Sequence, residues 1–206
     1  IIRDVAAGVE VPLVLHLDHG KSWESVEQCI AVGYQSVMID GSALPLNDNI
    51  ALTKRVVAFA HDRGVWVEGE VGAILGKEGL KEGAATVDEA TLTDQAQAAE
   101  FVQRTGVDAL AVAVGTLHGA FRGREAIRFA RLKAIHEAVS VPLVLHGGSG
   151  LPDDEIRRAI DFGIAKVNID TELREAFHDT LIEHREGGDA HSIDPRSLLT
   201  PARDAV

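Results

Sequence analysis

Short apolar, β-rich runs alternate with amphipathic helical stretches along almost the whole chain, and this alternation restricts the fold more than any other feature. The pattern predicts strands over 13–18, 36–40, 65–71, 109–115, 141–146 and 165–170. Between them lie helical patterns such as "SWESVEQCIAVG", "NIALTKRVVAFAHDRG", "TDQAQAAEFVQRTG", "EAIRFARLKAIHEAV" and "PDDEIRRAIDFG". Several of these end in Gly just before the next strand, as helix stops do, and Ser22, Thr93 and Pro152 are expected near helix starts. Repeated βα units mean an α/β fold with a parallel sheet and helices outside it.

Two parallel architectures compete, a doubly wound open sheet and a closed barrel. The predicted strands end in "HLDHG", "MIDG", "VEGEVG", "AVGTLHG", "LHGGSG" and "NIDT", all polar or glycine-rich. An open sheet concentrates chemistry at one switch point, whereas a barrel gathers every strand end around one mouth. Six decorated ends therefore favour a (β/α)8 TIM barrel. Only six βα units are visible where eight are needed, so the first two are expected to be absent from this chain. Residues 1–206 are read as one catalytic barrel domain, incomplete at the N-terminus and at the C-terminus.

Composition removes several classes of function. A formal net charge of −12 with no basic cluster argues against nucleic acid. The single cysteine, Cys29, excludes an internal disulfide framework and suits a reducing cytoplasm. No apolar stretch reaches membrane-spanning length, and "IIRDVAAGVEVP" has no signal-peptide layout.

Strand alternation puts His16 with Asp18, Met38 with Asp40, Glu68 with Glu70, and Lys166 with Asn168 and Asp170. With these faces inward, Asp18, Asp40, Glu70, Asn168 and Asp170 lie near the mouth with His19, His118 and His146. Three histidines at three strand ends are what a catalytic Zn2+ requires, because three neutral imidazoles hold the ion and leave positions open. The alternative is that each is a satisfied core or loop histidine. The glycines of "HGGSG", Gly147, Gly148 and Gly150, expose backbone N–H groups ahead of a helix, so with Ser149 this loop can hold a phosphate; a plain turn is the alternative. "NIDT" adds a second polar strand end, and together they suggest a phosphorylated substrate.

Lys166 is open to two readings. On an inward face it could form a Schiff base with a ketose phosphate. Its depth in the strand suits instead a barrel-floor lysine paired to a carboxylate. The stretch "GAILGKEGLKEGAATVDEA" (72–90) has too many glycines and charges for a helix and is expected to be a lid or active-site loop.

Taken in order, "HLDHG", "VEGEVG", "VGTLHGAF", "LHGGSG" and "KVNIDT" resemble the class II, zinc-dependent ketose-bisphosphate aldolases, which include the fructose- and tagatose-1,6-bisphosphate enzymes. The resemblance runs from about Pro12 to the end. It implies a (β/α)8 barrel in a homodimer or homotetramer, with His19, His118 and His146 binding Zn2+ and Asp18 as general acid/base. Asp40 and Glu70 match positions that can hold a second or displaced metal. Gly119, Gly147, Ser149, Asp170 and Thr171 match contacts to phosphate or to a monovalent cation (Na+ or K+), and Asn168 matches a contact to the triose's reacting oxygens. Arg122 stands where many members have a phosphate-binding lysine. Glu78 matches a loop glutamate that moves the triose proton, although the acid that follows it in many relatives is missing from "GKEGL". The implied reaction is reversible cleavage of a ketose 1,6-bisphosphate to dihydroxyacetone phosphate and glyceraldehyde 3-phosphate.

Two alternatives make different demands. A barrel metal-dependent hydrolase commonly shows His-x-His at its first strand, and "HLDH" lacks that spacing. A catalysis-poor partner subunit of an aldolase should have lost metal ligands, and this chain keeps all three histidines.

Overall fold

The computed structural model describes residues 2–74, 76, 87, 89–119, 127–187 and 194–206. A short helix α1 (Ile2–Ala6) precedes β1 (His16–Gly20), α2 (Trp23–Ala31), β2 (Ser36–Ile39), α3 (Leu46–His61) and β3 (Trp66–Val71). A 3₁₀ turn (Glu89–Thr91) leads to α4 (Gln95–Thr105), β4 (Ala109–Val112), α5 (Phe129–Ala138) and β5 (Leu143–Leu145). The chain continues through α6 (Asp153–Asp161), β6 (Ile164–Val167), α7 (Thr171–Gly187) and α8 (Pro195–Asp204). No helix among the described residues is long and apolar enough to cross a membrane.

All six strands pair in parallel in the order β1-β2-β3-β4-β5-β6, so the order never reverses and there is no switch point. A flat sheet of this width would hold β1 and β6 roughly 24 Å apart at about 4.8 Å per strand. Yet Lys166 Nζ of β6 lies 3.1 Å from His16 Nε2 of β1, and Asn168 Nδ2 lies 3.1 Å from Asp18 Oδ2. The sheet is therefore curled into a half-barrel whose edges meet through side chains.

The two faces differ as their residues dictate. Val37, Ile39, Val67, Val71, Leu110, Val112, Leu143 and Leu145 join the main core beneath the helices. Gly69 belongs to this outer face, where a Cβ would come 2.7 Å from the Phe101 ring; glycine lets that ring pack onto the strand. The concave face has a small apolar cluster of Met38, Ala111 and Val144. Around it, with Ala109 packed alongside, the face carries charged groups, with Glu68 in register with Met38, and Glu70 and Lys166 in register with Ala111 and Val144.

Local signals act mostly where expected. Ser22 caps α2 in a capping box with Ser25, Pro152 precedes α6, and Gly106 closes α4 at φ 73°. Thr93 is a correction. Asp94 is the N-cap of α4, accepting from Ala96 N and Gln97 N, while Thr93 is fully buried, donating to Val71 O and accepting from Ala113 N. The first strand also starts later than the apolar run implies. At this edge the ladder's one partner begins at Ser36, which leaves Leu13 and Val14 exposed and unpaired with β2.

Candidate metal centre and active site

The site begins with an irregularity in β1. Strict alternation would send Asp18 and His19 to opposite faces of the sheet. The register slips between Leu17 and Gly20, and His19 adopts φ 46°, a left-handed conformation that non-glycine residues adopt at a cost of about 1–3 kcal/mol. The bulge brings both neighbours to the same mouth.

There His19 meets His118 and His146. The ring centroids lie 4.9 Å (His19–His118), 4.7 Å (His19–His146) and 6.0 Å (His118–His146) apart, and one nitrogen from each lies within 4.8 Å of the others. His19, Asp40 and Glu70 form a second such group. Buried carboxylates fix two of the rings. His19 Nδ1 donates to Asp40 Oδ2 at 2.8 Å, and His146 Nε2 donates to Glu68 Oε1 at 2.9 Å. What remains on His19 is Nε2, which is buried without a hydrogen-bond partner, as is Glu70 Oε2. An orphaned ring nitrogen facing two other imidazoles, with an orphaned carboxylate oxygen nearby, suits a divalent cation. The donor set fits the group that the three-histidine pattern implies.

The electrostatics suit the same occupant. Burial and the His19 and His146 rings lower His118 to about 4, so it is neutral and ready to coordinate at neutral pH. Burial also acts to lower His19, but the Asp40 hydrogen bond and the charges of Glu70 and Asp18 outweigh it and raise its pKa. Burial opposes ionisation of Asp40, yet hydrogen bonds from His19, Lys21 and Ser42 hold it well below the carboxylate range. Glu70, only 1% exposed, is pushed up to about 8 by burial and by the charge on Asp40. An acid held neutral by burial and by a neighbouring acid marks a place where positive charge is wanted.

Beside the histidines is a cavity of about 270 Å³ lined by Asp18, His118, Gly119, Gly147, Ser149, Asn168, Asp170 and Thr171, with His16 and Lys166 deeper in. Asn168 Nδ2 donates to both Asp18 oxygens at 3.1–3.2 Å, and Asp18 Oδ1 lies 4.0 Å from His146 Nδ1. Ser149 is buried, and its Oγ accepts from Asp170 N and Glu172 N, which ties the "HGGSG" loop to the start of α7. Gly148 N donates to Asn168 O across the same junction. The Asp170 carboxylate is gripped by Arg174 Nε at 2.7–2.8 Å. Glu78, Arg122 and most of the 72–90 loop lie outside the described residues; Gly76 bridges to His118.

Lys166 is ion-paired to Glu68 at 2.7 Å, the arrangement of a paired floor lysine rather than a free amine. His16 bonds to Ser36 Oγ at 2.8 Å and to Lys166 Nζ at 3.1 Å. Sequence reasoning gave Glu68 no role, although its spacing of two from Glu70 on one strand face was the available signal. It also missed Ser42, whose N–H and hydroxyl both donate to Asp40; "DGS" is an Asx-turn pattern that could have shown it.

Comparisons with known proteins agree with this geometry. The family model described as class-II fructose-bisphosphate aldolase matches residues 1–206. A fructose-bisphosphate aldolase of Geobacillus stearothermophilus is 40% identical over 198 residues, covering 96% of this chain and 67% of the relative. One of Staphylococcus aureus is 40% identical over 202 residues, covering 96% and 68%. The crystal structure of the YdjI aldolase from Escherichia coli K12 superposes with a TM-score of 0.80 at 40% identity, covering 98% of this chain and 68% of that one. A curled sheet with a three-histidine mouth and a match over its whole length place the chain in the class-II fructose-bisphosphate aldolase family.

Proposed function

We propose that the protein is a zinc-dependent aldolase that reversibly cleaves a ketose 1,6-bisphosphate into dihydroxyacetone phosphate and glyceraldehyde 3-phosphate. The observation that carries this reading is the convergence of His19, His118 and His146 around the unpartnered Nε2 of His19, with Asp18 at the edge of the same cavity. Family membership supports the reaction class.

Cleavage removes the proton of the C4 hydroxyl as the C3–C4 bond breaks, and the bonding electrons move toward the C2 carbonyl oxygen. A Zn2+ held by His19, His118 and His146, with Asp40 and Glu70 as the second or displaced position, would supply positive charge where that negative charge develops. Asp18 takes the C4 hydroxyl proton, oriented by its two hydrogen bonds from Asn168. Asn168 also contacts the triose oxygens. Gly119, Gly147, Gly148, Ser149, Asp170, Thr171 and Arg122 orient the phosphates or hold a monovalent cation (Na+ or K+). Glu78 returns a proton to the triose carbon. Two further βα units, in the third of the relatives' length outside the match, complete the half-barrel as a (β/α)8 barrel. The whole acts as one domain in a cytoplasmic homodimer or homotetramer.

The test is cleavage of fructose and tagatose 1,6-bisphosphates before and after chelation. Activity should vanish with chelator and return with Zn2+ or Co2+. Chelator-resistant cleavage that is inactivated by borohydride in the presence of substrate would overturn the proposal.

A further inference from the structure

One polar network crosses the concave face and ends at His146, one of the three histidines at the mouth. Ser36 on β2 bonds to His16 on β1 (2.8 Å), and Lys166 Nζ on β6 donates to His16 Nε2 (3.1 Å) and to Glu68 Oε2 (2.7 Å). Glu68 on β3 then accepts from His146 Nε2 (2.9 Å). Glu68 is 3% exposed and His146 fully buried. Glu68 does not line the mouth cavity; it lines a second cavity of about 290 Å³ with Trp66, Val67 and Asp108, and His16 and Lys166 line both.

Beyond His146, nothing in the proposed bond cleavage uses these residues, yet the network is costly to build. A carboxylate buried on an inner strand face is tolerated only when its oxygens are paired, and here each oxygen has one partner. The pairing has a consequence for His146. With Nε2 committed to Glu68, Nδ1 is the nitrogen left for other partners: it lies 4.0 Å from Asp18 and 3.2 Å from Asn168 Nδ2, which is 3.5 Å from Nε2. His19 is held in the reverse sense, with Nδ1 on Asp40 and Nε2 left over. A carboxylate bonded to the outer nitrogen of a ligand imidazole fixes both its tautomer and its ring plane.

The geometry points to Glu68 and Lys166 as positioning residues: Lys166 anchors Glu68, and Glu68 sets the ring of His146 so that Nδ1 faces the ion. This rests on the three-histidine metal site proposed above. Lys166 acts at a distance, since Glu68 lies between it and the ligand. Its pairing to Glu68 also gives a floor lysine a task in the reaction that does not require a free amine.

The experiment measures Co2+ affinity by chelator competition, together with the Co2+ visible spectrum, on the purified protein and its variants. Lys166→Met and Glu68→Gln should each weaken Co2+ binding by roughly 10–100-fold and alter the spectrum. The double variant should lose no more than Glu68→Gln alone, because Lys166 works through Glu68. It also buries no unpaired charge, so it tests the idea even where Lys166→Met fails to fold. Binding and spectrum unchanged in Glu68→Gln, or additive losses in the double variant, overturn the relay alone. A wild-type protein that takes up no Co2+, or takes it up equally well after His118→Ala, overturns the metal centre and the relay with it.

Discussion

Gly147→Ala should damage the metal centre far more than its size suggests. Gly147 follows His146 and has φ 65°, a region that costs an alanine about 1–2 kcal/mol. The larger effect is contact: an added Cβ would lie 2.3 Å from the Leu117 carbonyl oxygen and 2.7 Å from its carbon, where ordinary contact begins at 3.4 Å. One backbone must therefore retreat by about 1 Å, and the Leu117 peptide leads directly into His118. Metal–ligand distances tolerate only about 0.2 Å, so an error of this size at two histidines should weaken Zn2+ binding and lower kcat/KM by about 10²-fold or more. Gly64→Ala is the control, because Gly64 has a similar φ of 68° with nothing within 4 Å of the added carbon. Both variants should lose the stability that a left-handed alanine costs, Gly147→Ala more because of its clash, but only Gly147→Ala should lose metal in a chelator competition. If the two bind Zn2+ equally well, the contact is not transmitted to His118 and the reasoning fails.

Asp18→Ala should keep bound metal while cleavage falls about 10²–10⁴-fold; metal content falling in step with activity would make Asp18 a ligand instead. Thr93→Val leaves the Val71 carbonyl and the Ala113 N–H without their hydroxyl partner. At about 1–3 kcal/mol for each buried group, its melting temperature should drop by roughly 5–15 °C, whereas Thr93→Ser should stay near wild type; equal melting of the two would refute this. Glu70 binds its proton more tightly folded, at about 8, than unfolded, near 4.5. Its contribution to metal-free stability is thus fully present below pH 4.5 and is lost as pH rises toward 8. Glu70→Gln should flatten that decline in chelated protein, and identical stability–pH slopes from pH 5 to 8 would count against it.

The six strands and their inward residues were legible because period-two alternation and helix-ending glycines are local signals. The convergence of His19, His118 and His146 followed from placing them at strand ends. Contacts between distant residues were not legible. Thr93 looks like a helix cap when only its neighbours are read, and its true partners, Val71 and Ala113, are each about 20 residues away. Glu68 meets His146 across 78 residues, which no local pattern announces. The bulge at His19 also escaped, because a left-handed histidine within a strand runs against residue preference. The open edge at β1 hid the true strand start, since the apolar run continues where hydrogen-bonding partners do not.

The outer strands of this sheet share no backbone ladder, yet Lys166 with His16 and Asn168 with Asp18 join them like stitches across a seam. Those stitches are made of the same groups that line the cavity beside the three histidines. A variant on β1 or in the 164–170 segment that disturbs catalysis will therefore also loosen the closure of the sheet, and one that loosens closure will disturb catalysis. Variants that separate the two roles have to be sought on β2, β3, β4 and β5, whose backbones are anchored on both sides.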